Sequence, residues 1–478
     1  MINLGNAAMA SLARTIERPS YDRSRISTGI LHFGPGAFHR AHQADYVDRL
    51  LAHDPRWGIA AVSLRSPDTV DALRRQDGLY TLAILDELPS FRILGAHQRF
   101  FGPGEGAGVR TQLGDPALRI VSSTVTEKGY CLAGDGTLDL AHPDIVHDLA
   151  RPDAPESLVG WLTLGLRDRR DEGLAPFTPL CCDNMVSNGR KLGAAVDAFA
   201  RRLDPGLADW IAGEVRFPDS MVDSITPATD EATRAEVRET VGAYDSIPVR
   251  REAYSAWIIE DILPTDAPDL ASVGAVLSGD VAAYELAKLR ILNGAHSSLA
   301  YLGLLLGHET VVEAMRDESL ARFIERMIHA DIIPGLRPTF DLGHYSREIL
   351  QRFRNPSIGH RLSQIAWDGS QKLPYRLIDT IGDALRSGRS VDRLAIPIAA
   401  WMLFIQRQAR AGVEIVDPLS GRLSEIGRGD NVAGDLLALR NIFPQSIAEN
   451  EAFRAALDGA ITTMRSSGPR SVIGAGNE

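Results

Sequence analysis

The sequence predicts an α/β protein in two parts: a mostly parallel sheet with interleaved helices over 1–280, then a mainly α-helical domain over 281–478. Three observations carry this. A strand, a glycine turn and a helix open the first half. Short apolar strands then alternate with helical segments, as in parallel α/β sheets. Beyond about residue 280 helical periodicity runs almost unbroken, placing the domain boundary near Leu277–Asp280. A chain of 478 residues is also too long for a single core.

In order, Gly29–Phe33 reads as a strand, Gly34-Pro35-Gly36 as a turn, and Ala37 to Ala52 as a helix. This is the context of a dinucleotide fingerprint, in which glycines admit a pyrophosphate and the helix N-terminus offers free N–H groups. The third glycine of G-x-G-x-x-G is replaced by His39. Trp57–Leu64 makes a second buried strand. At its end stand Arg65 and Ser66, with Asp68 beyond. Asp68 suits the ribose hydroxyls of NAD, Arg65 the extra phosphate of NADP, and a helix N-cap is the plain alternative for Asp68. Further strands are expected at Leu79–Leu85, Phe91–Gly95, Ile120–Thr126 and Thr178–Cys182, with helices at Pro155–Arg169 and Gly189–Arg201. Polar clusters follow three segments: Thr124 to Tyr130, Cys182 to Asn188, and Met221 to Pro227. Ligands of open α/β sheets gather at the carboxyl ends of strands, so such clusters are candidates; turns and caps are the alternative for Asn184 and Asn188. The second half reads as helices at Val281–Leu306, Glu309–Asp331, Arg347–Phe353, Pro374–Ser387, Leu394–Ala411 and Asp435–Asn441.

Composition narrows the function classes. Hydrophobic (44%) and charged (24%) fractions are those of a globular protein, and a net charge of −11 disfavours general nucleic-acid or anionic-membrane binding. Cys131, Cys181 and Cys182 are too few for a disulfide framework, so a reducing cytoplasm is expected. The N-terminus lacks the basic region of a signal peptide, and the apolar run Leu394–Ile405 is short and interrupted by Pro397, so no membrane span is expected. A metal site is not expected either: Cys181-Cys182 lacks ligand spacing, and His39 and His42 belong to the glycine-turn helix.

The first C-domain helix carries the densest chemistry. At about 100° per residue, Glu285, Lys288, Asn293 and His296 fall within an arc of about 140°. Taken alone this is the polar face of a surface helix. Burying these groups without partners would cost several kcal/mol, so they pair, meet solvent or face a cleft.

With these segments assembled, the chain resembles the polyol-specific long-chain dehydrogenases, the family of mannitol 2-dehydrogenase and fructuronate (D-mannonate) reductase. The resemblance rests on His32 to Gln43, Thr124 to Tyr130, Cys182-Asp183-Asn184 with Asn188-Gly189, Met221-Val222-Asp223, Lys288-x4-Asn293-x2-His296, Arg352 to Pro356, and Asp368 to Lys372. Ser224 departs from the family's arginine at that position, which bears on substrate identity.

The resemblance implies a Rossmann-type N-terminal domain, a helical C-terminal domain, a cleft between them, and zinc-independent hydride transfer with NAD as cofactor. The cofactor would lie on Gly34, Pro35, Gly36, Ala37 and Phe38, with Asp68, Val125, Thr126 and Glu127. Lys288 would be the general base, which requires a lowered pKa. Asn184 and Asn293 would clamp the substrate oxygen, His296 would position the substrate, and Glu285 would pass the proton to solvent. Asp223, Lys372 and Arg361 are assigned to the substrate. The leading expectation is oxidation of a hexitol to a ketohexose in the mannitol manner. The alternatives are a fructuronate reductase, whose substrate carboxylate needs a cation such as Arg361, Lys372 or Lys128, and a nucleotide-binding sensor without turnover. The expected partners are a small polyol, ketose or sugar acid, with no nucleic acid or membrane and no oligomer required.

Overall fold

A computed structural model describes residues 2–86, 88–337 and 339–475. The chain divides into two compact units, Met1–Ala282 and Ala283–Glu478.

The first unit is built on a parallel sheet. Its strands are β1 (Ile30–Phe33), β2 (Ile59–Val62), β5 (His97–Phe101), β6 (Ile120–Ser123) and β7 (Thr178–Cys181), in the order β5-β2-β1-β6-β7. Every neighbouring pair is parallel, with Leu31 opposite both Ala60 and Val121. β1, β2, β6 and β7 are buried throughout, as strands covered on both faces must be. The two-residue period of β1 divides its side chains. Leu31 and Phe33 join the core formed with helices Leu158–Asp171 and Asn188–Leu203, while Ile30 joins Tyr46, Leu50 and Trp257 on the other face.

Two expectations are corrected here, and one strand is added. The strand patterns at Leu79–Leu85 and Phe91–Gly95 lie outside the parallel sheet: β3 (Tyr80–Leu85) pairs antiparallel with β4 (Ser90–Leu94) and parallel with β9 (Val249–Glu252). β5, in turn, had no predicted counterpart; its sequence His97-Gln-Arg-Phe-Phe101 is too polar to read as an inner strand, and it sits at the sheet edge. Finally, the helix after the glycine turn is broken into Ala37–Ala41 and Gln43–Leu50 at His42, whose φ of −116° and ψ of −86° leave the helical region. The imidazole of His42 is held at 2.9 Å by the carbonyl of Ala256 and stacks on Phe38. Ala256 opens β10 (Ala256–Glu260), which joins β8 (Ser220–Asp223) and β11 (Val276–Ser278) in a third sheet.

The second unit contains no strand among the described residues. Its helices include Gly294–Leu306, Glu318–Arg326, Leu342–Arg354, Asp392–Ala411 and Glu451–Ser467. Three segments are π-helical instead of α-helical: Lys288–Asn293, Met327–Ile332 and Pro374–Ile378. No helix among the described residues is long and apolar enough to cross a membrane.

Candidate active site: a glycine turn and a π-widened helix

In the first unit the site begins where β1 ends. Gly34 takes φ +85°, and a Cβ there would fall 2.3 Å from the carbonyl oxygen of Thr124, so only glycine lets β1 and β6 part at this spacing. The turn is tied down by N–H of Gly34 to the Val62 carbonyl (2.9 Å) and by the Thr124 hydroxyl to the Gly34 carbonyl (2.8 Å). The N–H of Gly36 is spent on the Gly34 carbonyl at 2.7 Å. The donors left for an anion therefore belong to the first turn of the short helix after it. Ala37 and Phe38 pack their side chains into apolar clusters, so they can serve a cofactor only through their backbone.

Beneath the turn lies a stack of three buried histidines. His32 lies flat on His39 with ring centroids 3.4 Å apart, and His39 meets His97 through ring nitrogens 3.1 Å apart. His39, which stands in place of the third fingerprint glycine, is buried with its ring against His32. His32 also reaches Ser122 (2.8 Å), Thr124 (2.9 Å) and the Gly34 carbonyl (3.2 Å). Burial pushes the pKa of His32 and of His97 down to about 3, and that of His39 well below its ordinary value, so the stack is neutral.

A cavity of about 320 Å³ opens over this turn, lined by Gly34, Pro35 and Gly36, by Ser63 to Ser66 after β2, by Thr124, Val125 and Thr126 after β6, and by Asp144 and Ser157. An adjoining cavity of about 640 Å³ shares Ser63, Leu64, Arg65 and Glu156 with it. Of the predicted cofactor residues, Gly34, Pro35, Gly36, Val125 and Thr126 line the smaller cavity. Glu127 is exposed beside it. Asp68 is exposed too. It is not an N-cap, since Pro67 holds that place; it starts the helix Asp68–Arg75 and accepts a hydrogen bond from the Ser66 hydroxyl at 2.8 Å. Arg65 forms an ion pair with Asp144.

The loop after β6 is pinned by a residue the sequence reading had not assigned. Asp183 accepts from the N–H groups of Val125 (2.9 Å) and Thr126 (3.2 Å) and from the Tyr130 hydroxyl (2.6 Å). Burial raises its pKa, against the pull of these donors. Asn188 is structural, donating to the carbonyls of Cys181, Asp183 and Ser220. Asn184 is exposed just after β7. Asp223 is buried at the end of β8, and Ser224 donates to the Tyr254 carbonyl at 2.9 Å. The sequence reading also overlooked Cys131, His142 and Asp144, whose potential ligand atoms lie within 4.8 Å of one another. They come together only through the loop after β6, and Asp144 is engaged by Arg65.

In the second unit the candidate helix departs from its predicted geometry. Glu285 lies in an α-helix, Val281–Ala287, but Lys288–Asn293 is a π-helix and Gly294–Leu306 is α-helical again. Along an α-helix, residues five apart point about 140° from each other. The i→i+5 bonding of a π-turn brings such residues closer to one side. Lys288 and Asn293 are five apart, so the widened turn draws together the two edges of the predicted arc. Lys288 and Asn293 are half-buried, Glu285 and His296 buried. His296 packs against Phe353 (4.3 Å between centroids) and edge-on to His360 (5.4 Å). Burial first, then the charges of His360, Arg352 and Arg376, hold its pKa well below the ordinary value. It is a neutral imidazole, able to donate from one nitrogen and accept at the other.

Lys372 is half-buried, 3.9 Å from Asp368. Burial first, then Arg376, lowers its pKa. Arg361 is exposed and bridges to Thr310 through its backbone. Arg376, absent from the sequence reading, lies beside the helix: it donates to the Ser297 hydroxyl at 3.1 Å.

Comparison with known proteins gives a consistent picture. A family model described as "Mannitol dehydrogenase Rossmann domain" matches residues 28–272, and "Mannitol dehydrogenase C-terminal domain" matches 280–465. D-mannonate oxidoreductase of Escherichia coli (strain K12) is 39% identical over 475 residues, covering 96% of this chain and 98% of that protein. The solved Pseudomonas fluorescens mannitol 2-dehydrogenase, a ternary complex with NAD and D-mannitol, superposes with a TM-score of 0.81 at 34% identity, covering 99% of both chains. A D-sorbitol dehydrogenase in substrate-free form gives a TM-score of 0.93 at 30% identity, covering 99% of this chain and 100% of that one. Over both of its units, the chain belongs to the mannitol dehydrogenase family.

Proposed function

We propose that this protein is an NAD-dependent oxidoreductase that interconverts a secondary alcohol and a ketone on a polyol or sugar-acid chain without zinc. The observation that carries the reading is the π-turn at Lys288–Asn293, which gathers an amine and an amide on one side of a helix that continues to a buried, neutral His296. The first unit fits the cofactor: a glycine-only turn, free first-turn N–H groups and a cleft along the ends of β1, β2 and β6. Gly34 to Phe38, Val125 and Thr126 would hold it there, and Arg65, matched by Asp144, favours NAD over NADP. NAD bound there would supply the hydride acceptor for the carbinol carbon.

The chain's own residues do the rest. Lys288 accepts the hydroxyl proton in oxidation and returns it in reduction. Glu285, one turn earlier, passes that proton toward solvent. Asn293, and in our proposal Asn184, donates to the substrate oxygen as negative charge builds on it. His296 hydrogen-bonds a neighbouring hydroxyl, and Asp223 accepts from another. The three cysteines are free and buried, which fits work in a reducing cytoplasm. An absorbance screen for NADH with mannitol, sorbitol, arabinitol and mannonate, and in reverse with fructose and fructuronate, tests this reading. Activity on at least one pair that disappears in Lys288→Ala is expected; turnover that survives the change sinks the assignment.

A further inference from the structure

The helix bearing His296 lies against more positive charge than alcohol oxidation uses. Arg376 belongs to the π-segment Pro374–Ile378 and donates from Nη1 to the hydroxyl of Ser297, the residue after His296. The segment is pressed on the helix backbone: a Cβ at Gly294 would come within 3.0 Å of the Arg376 carbonyl. Two neighbouring arginines of the unit have counter-ions, Arg290 with Asp383 at 2.5 Å and Arg393 with Asp331 at 2.6 Å. Arg376 pairs with no carboxylate among the described residues; its protein partner is the neutral hydroxyl of Ser297. Arg376 is half-buried, so part of it remains accessible.

Lys372 stands one turn earlier with its carboxylate neighbour, Asp368, at the outer edge of ion-pair distance, 3.9 Å. His360 faces His296 with its Nδ1 buried and unpartnered. Burial depresses the pKa of Arg376 and of Lys372, and the charge of Arg376 lowers that of Lys372 further. A guanidinium does not give up its proton in a protein, so the charge stays. A half-buried, unpaired cation is costly unless an anion meets it, and a planar guanidinium fork matches a carboxylate.

We infer that Arg376, with Lys372 behind it, receives a substrate carboxylate, so the substrate class is a sugar acid, an aldonate and its keto-acid partner, in preference to an uncharged polyol. This rests on the dehydrogenase reading above and names its substrate class. On a chain of net charge −11, a local cation pair is also what lets an anionic substrate approach.

D-mannonate and D-mannitol make the test, because they differ at one end alone, carboxylate against hydroxymethyl. With the full chain and NAD, mannonate is expected to exceed mannitol in kcat/KM by roughly 10²-fold, through KM. Arg376→Gln should lower the mannonate-to-mannitol ratio by about 10²-fold, and Arg376→Lys, which keeps charge but loses the fork, should fall between. A wild type that prefers mannitol overturns the carboxylate inference and leaves the dehydrogenase reading standing. Equal losses on both substrates in Arg376→Gln also overturn it, since they mark a structural arginine. No NAD reduction with either compound, nor with the other substrates of the screen, removes the dehydrogenase reading and this inference with it.

Discussion

The two units offer different materials for the proposed chemistry. At the glycine turn of the first unit the working surface is backbone: a residue without a Cβ at Gly34, first-turn N–H groups, and a loop whose amides are pinned by Asp183. Around Lys288 in the second unit it is side chain, an amine, an amide and an imidazole gathered by a π-turn. A backbone site tolerates a change in any side chain that does not fill its space. A side-chain site tolerates almost none, because each group has its own proton or hydrogen bond to manage.

The largest test of this contrast is Lys288→Ala. It should cut alcohol oxidation by about 10²–10⁴-fold while leaving NADH binding intact, read by steady-state kinetics and fluorescence titration. Oxidation within about tenfold of wild type would mean that the base lies elsewhere. Asn293→Ala should follow, lowering turnover by roughly 10²–10³-fold, mainly in kcat, as loss of a donor to a developing alkoxide does. A change confined to KM would make Asn293 a ground-state binder instead.

On the backbone side, Gly34→Ala should weaken NADH binding by about tenfold or more, through a left-handed φ and a clash with the Thr124 carbonyl. Titration giving wild-type affinity would show that the turn does not hold the cofactor. Acid should act on the same unit. His32 and His97 titrate at about 3 when folded, against about 6.5 when unfolded. The unfolded chain therefore binds more protons between those values. The stability these neutral rings represent is whole above about pH 6.5 and is lost progressively as pH falls toward 3. Denaturant melts at a series of pH values should show this decline. A His32→Asn variant that declines as steeply as wild type would remove His32 from the account.

The smallest effect is expected at Asp144→Asn. Freeing Arg65 should shift the NADP-to-NAD ratio of kcat/KM upward by about fivefold, the scale of one exposed ion pair. No shift, or the same shift with Arg65→Ala also present, would show that Arg65 does not read the ribose phosphate.

What the sequence by itself determined were features written in local chemistry and in recurring motifs. β1, β2, β6 and β7 are short apolar runs with both faces buried, and they appear where hydrophobic patterning places them. The glycine turn is legible because only glycine fits its φ, and the order of motifs through Lys288, Asn293 and His296 points to the family. Tertiary structure decided the rest. β3 and β4 carry the same apolar signal as sheet strands, yet they pair with each other, and β3 takes β9, more than 150 positions later, as its second neighbour; no local pattern records a distant partner. At the break, His42 bonds the carbonyl of Ala256 on β10, equally remote in sequence. The π-turn at Lys288 has no signature in residue type either. Its neighbour Gly294 packs on the backbone of a second π-segment, at Arg376, and one added residue per turn changes which side chains share a face. That same packing puts Arg376 beside Ser297, a contact across 79 positions. Helical period can place Lys288, Asn293 and His296 on one surface, but a charge brought against that surface from another segment is set only when the chain folds.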